Sequence, residues 1–256
     1  MGLNKKGLVT VFILIGIFLL IAFGAFFFMR FQQFQPDDSV VTVSYDFQTA
    51  TSFIHSCAER KANEALVRIS DQGGSYLLTE NYYDHPFFPV AYHYMDGENM
   101  AYSPEEVSEE LSKFMDEKVI GCIDEANNVQ KNVLVSQDGE PETRTTINEN
   151  SVEFDVKFPL KMDMGNNHHK ESMFVVEIEN LRLIKILELS WRLAKEQGEH
   201  KESLCYSCIY KLAEENNMRI DYTKIGDDVI YYFITDLTSR IDGLPLTFSL
   251  AHKNGI

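Results

Sequence analysis

An uninterrupted apolar segment near the N-terminus constrains this chain more than any other feature of its sequence. No charged residue occurs between Gly7 and Met29, and the run from Leu8 onward consists mainly of Leu, Ile, Val, Phe, Ala and Met. At about 1.5 Å per residue, a helix of this length reaches roughly 33 Å, enough to cross a hydrocarbon core of about 30 Å. The segment therefore predicts a transmembrane helix over residues 8–29, in contact with the lipid bilayer.

The charges beside this helix predict its orientation. Lys5 and Lys6 precede it, whereas only Arg30 follows it before two aspartates. Because basic residues favour the cytoplasmic side, we expect residues 1–7 inside the cell and the rest of the chain outside the cytoplasmic membrane. A secretory signal has a shorter apolar core, of about 7–15 residues, so we expect the segment to stay as a permanent anchor.

The segment Lys5-Lys6-Gly7-Leu8 and the apolar helix behind it resemble the N-terminus of archaeal type IV pilins and related pilin-like proteins. In that family a membrane peptidase cuts just after the glycine, and the apolar helix then packs in the core of a filament. The resemblance implies a processing site at Gly7 and Leu8, and self-assembly of the processed chain. A pilin-like filament subunit is thus the alternative to a plain membrane anchor.

The charge of the remaining chain excludes some partners. The whole chain carries −16, and its first 30 residues contribute three positive charges and no negative ones, which leaves −19 for residues 31–256. Such an acidic surface repels phosphates, so we expect no nucleic-acid binding. Hydrophobic residues make up 45% of the sequence, too many for a disordered tail, and the exterior part is expected to fold.

The periodicity of the chain predicts an α+β fold with an antiparallel sheet and several helices. Helical spacing of apolar residues begins at Asp46 and is expected to end at Gly73-Gly74. A single second helix is predicted from a capping box of Ser103 and Glu106 through Cys122, and alternating segments follow Asn127. Helices and strands are segregated, which favours α+β over a doubly wound sheet. We therefore predict a juxtamembrane linker over 30–45 and one extracytoplasmic domain over 46–256. Its helical part spans 46–127 and its sheet-rich part 128–256.

All four cysteines lie in the part placed outside, where oxidising conditions favour disulfides. Cys57 and Cys122 each fall on the apolar stripe of a predicted helix, so we expect a bridge between them. Two free buried thiols are the alternative, because buried cysteine packs as a small apolar group. The stretches around Cys57 and Cys122 also resemble uncharacterised membrane-anchored surface proteins of archaea, which implies a surface protein with paired cysteines.

The Cys205-x-x-Cys208 motif allows several interpretations. We expect a local structural disulfide between the two cysteines. The alternatives are reduced cysteines in the core, disulfides with Cys57 or Cys122, and a redox or metal site. A thioredoxin-like site needs a strand leading to a helix N-terminus, whereas the preceding residues predict a turn between two helices. Zinc needs four ligands, and His200 or His168-His169 would join the cysteines only if the tertiary structure happened to bring them together.

Aromatic residues crowd the irregular stretch 76–95. They either cover the two helices as a second core layer or form a contact surface for a protein or glycan partner. The residues proposed for such a contact are Tyr82, Tyr83, Phe87, Phe88, Tyr92 and Tyr94.

Motifs of catalysis and cofactor binding are missing from the sequence. It contains no HExxH, GxSxG, phosphate-binding loop or dinucleotide glycine fingerprint. We therefore expect no catalytic site, cofactor or metal, and a single-pass membrane-anchored binding or assembly protein. An extracytoplasmic thiol oxidoreductase that uses Cys205 and Cys208 is a further alternative.

Overall fold

The computed structural model describes residues 38–78, 80–200, 204–226 and 228–253, with side chains from residue 46 onward. Residues 47–256 form one compact unit. The cytoplasmic segment, the anchor over 8–29 and the processing site at Gly7 and Leu8 lie outside the described residues. No helix within the described ranges combines the length and the apolar character that a membrane crossing requires.

Five helices and ten strands occur within the described ranges. The helices are α1 (Asp38–Asp71), α2 (Pro104–Lys118), α3 (Gly121–Val129), α4 (Leu183–Glu199) and α5 (Tyr206–Asn216). The strands are β1 (Tyr82–Asp84), β2 (Pro89–Met95), β3 (Glu98–Asn99), β4 (Leu134–Gln137), β5 (Glu142–Ile147), β6 (Ser151–Met164), β7 (Asn167–Glu179), β8 (Arg219–Ile225), β9 (Val229–Ile241) and β10 (Leu244–Lys253). The α+β class predicted from the sequence is confirmed.

Helix α1 begins earlier than the sequence predicts, because Asp38 lies inside the predicted linker over 30–45. The residues from Val40 to Val43 are all β-branched, which lowers helix propensity and hides the helical signal. Extending an existing helix adds one hydrogen bond per residue and avoids the cost of nucleation. The helix ends at the predicted glycine pair, where Gly74 N–H donates to Ile69 O at 2.8 Å.

Helix α2 begins with the predicted capping box. Ser103 Oγ accepts from Glu106 N–H, and the Glu106 carboxylate accepts from Ser103 N–H at 2.8 Å. The predicted single helix is interrupted, however, because α2 ends at Lys118 and α3 begins at Gly121. Cys122 therefore lies on α3, and the expected Cys57–Cys122 disulfide joins α1 to α3, with both residues buried.

The strands form two sheets, and one of them is mixed, which corrects the prediction of an antiparallel sheet. The large sheet has the order β1-β2-β10-β9-β8, with β3 also paired to β2, and its β2–β10 pair is parallel. The two strands are more than 150 residues apart in the chain and are not joined by a local turn. The sequence pattern therefore did not predict that they pair. In the small sheet β7 lines one edge of β6, while β4 and β5 share the other.

The large sheet also joins the two predicted parts of the domain. Strands β1 to β3 come from the part over 46–127 that was predicted to be helical, and β2 pairs with β10 from the sheet-rich part. One main core contains side chains from both parts, including Leu66 of α1, Leu111 of α2, Phe154 of β6 and Tyr232 of β9. The division at residue 127 is therefore not a boundary in the fold.

Candidate functional site

The aromatic stretch forms a hairpin, β1–β2, at the edge of the large sheet. Phe87, between the strands, is 84% exposed, and Tyr82 is 38% exposed. Tyr83, Phe88 and Tyr92 are half-buried. The structure therefore places five of the six proposed contact residues wholly or partly at the surface.

Tyr94 is the exception, and its assignment to the contact surface was wrong. It is only 3% exposed. A Cβ atom on Gly198 of α4 would lie 3.2 Å from the Tyr94 ring, so the end of α4 packs closely on it. Strand periodicity alone does not reveal which neighbouring helix covers a given ring, and this burial has no signal in the sequence.

Beneath the hairpin lies a second, smaller hydrophobic cluster, separate from the main core. Its buried members are Val90, Val229, Tyr231 and Ala251. The half-buried rings that pack on them include Tyr83, Phe88, Tyr92 and Phe233. Tyr231 and Phe233 alternate along β9 with Tyr232, which faces the main core, so the two clusters lie on opposite faces of the sheet.

His85 connects these rings, although the sequence did not single it out. Its imidazole stacks on Tyr231 with a centroid distance of 5.3 Å and also contacts Phe87 at 5.5 Å and Phe88 at 5.4 Å. We call Tyr83, His85, Phe87, Phe88 and Tyr92 the aromatic patch.

Carboxylates give this part of the surface a negative character. Burial and the nearby Asp228 carboxylate raise the pKa of Tyr92, and burial together with Asp71 and Tyr83 raises the pKa of Tyr231. Asp84, at the end of β1, is exposed. An apolar surface bordered by carboxylates attracts cationic groups, which also stack on aromatic faces.

The Cys205-x-x-Cys208 motif forms a disulfide at the N-terminus of α5, as the sequence predicted for a local bridge. Cys205 is the N-cap of the helix, and its Sγ accepts from Cys208 N–H at 3.3 Å. The N-terminus of α5 is a position where backbone N–H groups stabilise a thiolate. Both cysteines are half-buried.

His200 completes a cluster with these cysteines. It caps the C-terminus of α4, where its backbone N–H donates to Glu196 O and Gln197 O. Its ligand nitrogen and the two sulfurs lie within 4.8 Å of one another, and among the described residues no other such group of His, Cys, Asp or Glu side chains is found. His168 and His169, the other candidate ligands from the sequence, lie instead at the β6–β7 hairpin, where they contact Asp163 and Glu171.

An exposed aromatic groove borders the same helix. Tyr206, which follows Cys205 directly, is 64% exposed, and Tyr210 one turn later is 71% exposed. Tyr222 of β8 faces Tyr206 with a ring distance of 5.9 Å. The sequence gives no sign of this groove, because its residues come from a helix and a strand that are brought together only in the tertiary structure.

The features that bear on function are thus the aromatic patch, the cluster of His200 with Cys205 and Cys208, and the neighbouring groove. No protein-family model, no curated protein and no solved structure matches the chain.

Proposed function

We propose that the protein is a single-pass membrane-anchored contact protein whose exterior domain binds a partner through the aromatic patch. The observation that carries this proposal is a layer of half-exposed rings that lies outside the main core, with Phe87 84% exposed at its tip. Aromatic residues that project from a packed base are typical of the residues that dominate binding energy at interfaces.

The exposure of Phe87 favours a role in partner contact over a role in covering the large sheet. Tyr83, Phe88 and Tyr92 cover the small cluster beneath them, so their apolar character has a structural cause. Phe87 buries little of its own surface and contributes little to that coverage. Its exposed ring is consistent with a group that becomes buried when a partner binds.

Charge favours a protein partner that presents basic and apolar side chains. The patch borders on Asp84 and Asp228, and residues 31–256 carry −19. An arginine or lysine of the partner would gain both a carboxylate neighbour and an aromatic face. A neutral glycan would use the rings alone and would be insensitive to salt.

The proposed anchor over residues 8–29 would confine the domain to the outer face of the cytoplasmic membrane. The N-terminal residue of the protein isolated from native membranes tests this part. A chain that keeps Met1 or Gly2 supports a permanent anchor. A chain that begins at Leu8 would instead support pilin-type processing and make a filament subunit the leading hypothesis.

Site-specific photo-crosslinking tests the aromatic patch. We would place a photoreactive phenylalanine analogue at position 87 and, as a matched control, at position 244, where Leu244 is 71% exposed away from the patch. We expect a discrete crosslinked product from position 87 that weakens at high salt and is absent from position 244. A second copy of this chain as the product would indicate self-assembly.

The outcome that contradicts the proposal is equal crosslinking, or none, from the two positions. A Phe87→Ala variant adds a stability check, because the loss of an exposed ring should change the free energy of unfolding by less than about 0.5 kcal/mol. A larger decrease in the free energy of unfolding would show that Phe87 stabilises the folded domain.

Thiol–disulfide exchange at Cys205 and Cys208 is a second candidate, favoured by their position at the N-terminus of α5. Helix N-termini lower thiol pKa and make one sulfur a better nucleophile. Dithiothreitol-dependent reduction of insulin disulfides by the wild-type protein, lost in Cys205→Ser, would support it. No activity above the thiol reagent alone would exclude it.

A further inference from the structure

We propose that reduction of the Cys205–Cys208 disulfide creates a zinc-class metal site completed by His200. The inference goes beyond both functions proposed above, because neither a contact surface nor thiol exchange requires a histidine at this position. The ligand set would be two thiolates and one imidazole, with the fourth position of the tetrahedron open.

The backbone already holds the three ligand positions. His200 caps the end of α4 through hydrogen bonds to two carbonyl groups, and Cys205 caps the start of α5. Cys208 lies in the first turn of α5, where Cys205 and Cys208 face the same side. Since the ligand atoms lie within 4.8 Å of one another, a metal would require side-chain rotations and no change in the helices.

The surroundings also suit two thiolates. Cys208 N–H donates to Cys205 Sγ at 3.3 Å, a hydrogen bond that stabilises negative charge on the sulfur. The N-terminal end of α5 adds its partial positive charge. His200 is exposed and both cysteines are half-buried, which leaves the site open to metal from solution.

The chemistry requires a reductant, which we take to be a dithiol. It delivers two electrons and two protons to the Cys205–Cys208 bond, forms two thiols and becomes a disulfide itself. Zn²⁺ then displaces both thiol protons and accepts a lone pair from the neutral imidazole of His200. In the reverse direction, a disulfide-containing oxidant accepts two electrons by thiol–disulfide exchange and becomes a dithiol, while the Cys205–Cys208 bond re-forms and Zn²⁺ is released, so the site is redox-gated.

Cobalt(II) binding to the full-length protein tests the proposal, because Co²⁺ occupies zinc sites and reports its ligands by absorption. After reduction under argon, we expect one Co²⁺ per chain, with a thiolate-to-cobalt charge-transfer band and the visible bands of tetrahedral coordination. Zn²⁺ should displace the cobalt. The oxidised protein should show neither band.

Two histidine variants test whether His200 itself binds the metal. His200→Ala should weaken Zn²⁺ binding at least about tenfold, since even the loss of a metal ligand's supporting partners has effects of that order. His168→Ala, at the β6–β7 hairpin and outside the cluster, should bind like the wild type. Circular dichroism of both variants shows whether either change unfolds the chain.

A reduced protein that gives no charge-transfer band would overturn the site altogether. An unchanged spectrum and affinity in His200→Ala would overturn the assignment of the histidine. As a measurement independent of spectra, Zn²⁺ should raise the melting temperature of the reduced protein and leave that of the oxidised protein unchanged. An equal rise in both states would place the metal elsewhere.

Discussion

Two histidines, His93 and His252, lie fully buried on the parallel pair of strands β2 and β10. His93 Nε2 donates to Gly73 O at 2.7 Å, whereas neither ring nitrogen of His252 has a hydrogen-bond partner among the described residues. Burial lowers the pKa of His93 to about 4, and burial together with His93 lowers that of His252 well below its usual value. Both rings are therefore neutral in the folded protein at pH 7.

These pKa values predict that stability falls on acidification. Between pH 6.5 and about 4 the unfolded chain binds protons that the folded chain does not, so the free energy of unfolding decreases as pH falls through this window. For His93 alone the loss amounts to about 3 kcal/mol. His252→Leu should flatten this dependence and leave stability at pH 7 equal or higher, because no hydrogen bond is lost.

Urea unfolding at pH 7 and pH 4.5 measures the effect. A dependence that is as steep in His252→Leu as in the wild type would show that His252 does not titrate in this window.

Asp236 provides a second prediction for a single residue. It is fully buried, and although burial by itself raises the pKa of a carboxyl, hydrogen bonds from Arg182, Ser239 and Thr238 hold the pKa of Asp236 well below its usual range. Asp236→Ala leaves Arg182 without its partner and should destabilise the fold by about 3–5 kcal/mol. Chemical denaturation measures this loss.

Asp221→Ala is the matched control, because it breaks the pair with Arg219, in which both side chains are more than half exposed. Such exposed pairs contribute no more than about 1 kcal/mol. Equal losses for the two aspartates would contradict a special role for the buried pair.

At the scale of elements, the sequence located helix ends well where a special residue marks them. The capping box at Ser103 and the glycine pair after α1 both lie where expected. The prediction failed at the start of α1, where a β-branched segment hides the helical pattern, and at the break between α2 and α3, where Gly121 did not reveal the interruption. Local signals specify a boundary only when one residue changes the backbone preference by about 1 kcal/mol or more.

The turn after α1 gives a testable contrast between two glycines. Gly73 has φ +78°, and a Cβ there would lie 3.0 Å from Ser249 O, so Gly73→Ala combines backbone strain with a clash against β10. The strain alone costs about 1–2 kcal/mol. Gly121, at the start of α3, has open space at its Cβ position, and Gly121→Ala should stabilise by about 0.5 kcal/mol.

Thermal melting distinguishes these two variants directly. We expect a lower melting temperature for Gly73→Ala and an equal or higher one for Gly121→Ala. A tolerated alanine at position 73 would mean that the end of α1 can shift away from the large sheet.

At the scale of the whole molecule, the two disulfides differ in what they join. The Cys57–Cys122 bridge spans 65 residues and ties α1 to α3, whereas the Cys205–Cys208 bridge spans three residues at one helix end. The entropy removed from the unfolded chain grows with the length of the closed loop. The long-range bridge should therefore dominate the contribution of disulfides to stability.

Paired substitutions test this difference. Cys57→Ala with Cys122→Ala should destabilise the protein by about 2–5 kcal/mol, and Cys205→Ala with Cys208→Ala by no more than about 2 kcal/mol. Urea unfolding under non-reducing conditions gives both values. A larger loss from the short bridge would show that α5 depends on it for its docking.

The sequence by itself determined the α+β class, most helices and strands, the cysteine pairs and the apolar segment over 8–29, because periodicity, caps and composition are local properties. Only the tertiary structure decided the rest. The parallel β2–β10 pair, the burial of Tyr94, the stacking of His85 on Tyr231 and the approach of His200 to Cys205 and Cys208 each depend on contacts between distant parts of the chain. Such contacts arise from the packing of whole elements, and hydrophobic periodicity shows which face an element buries but not which partner covers it.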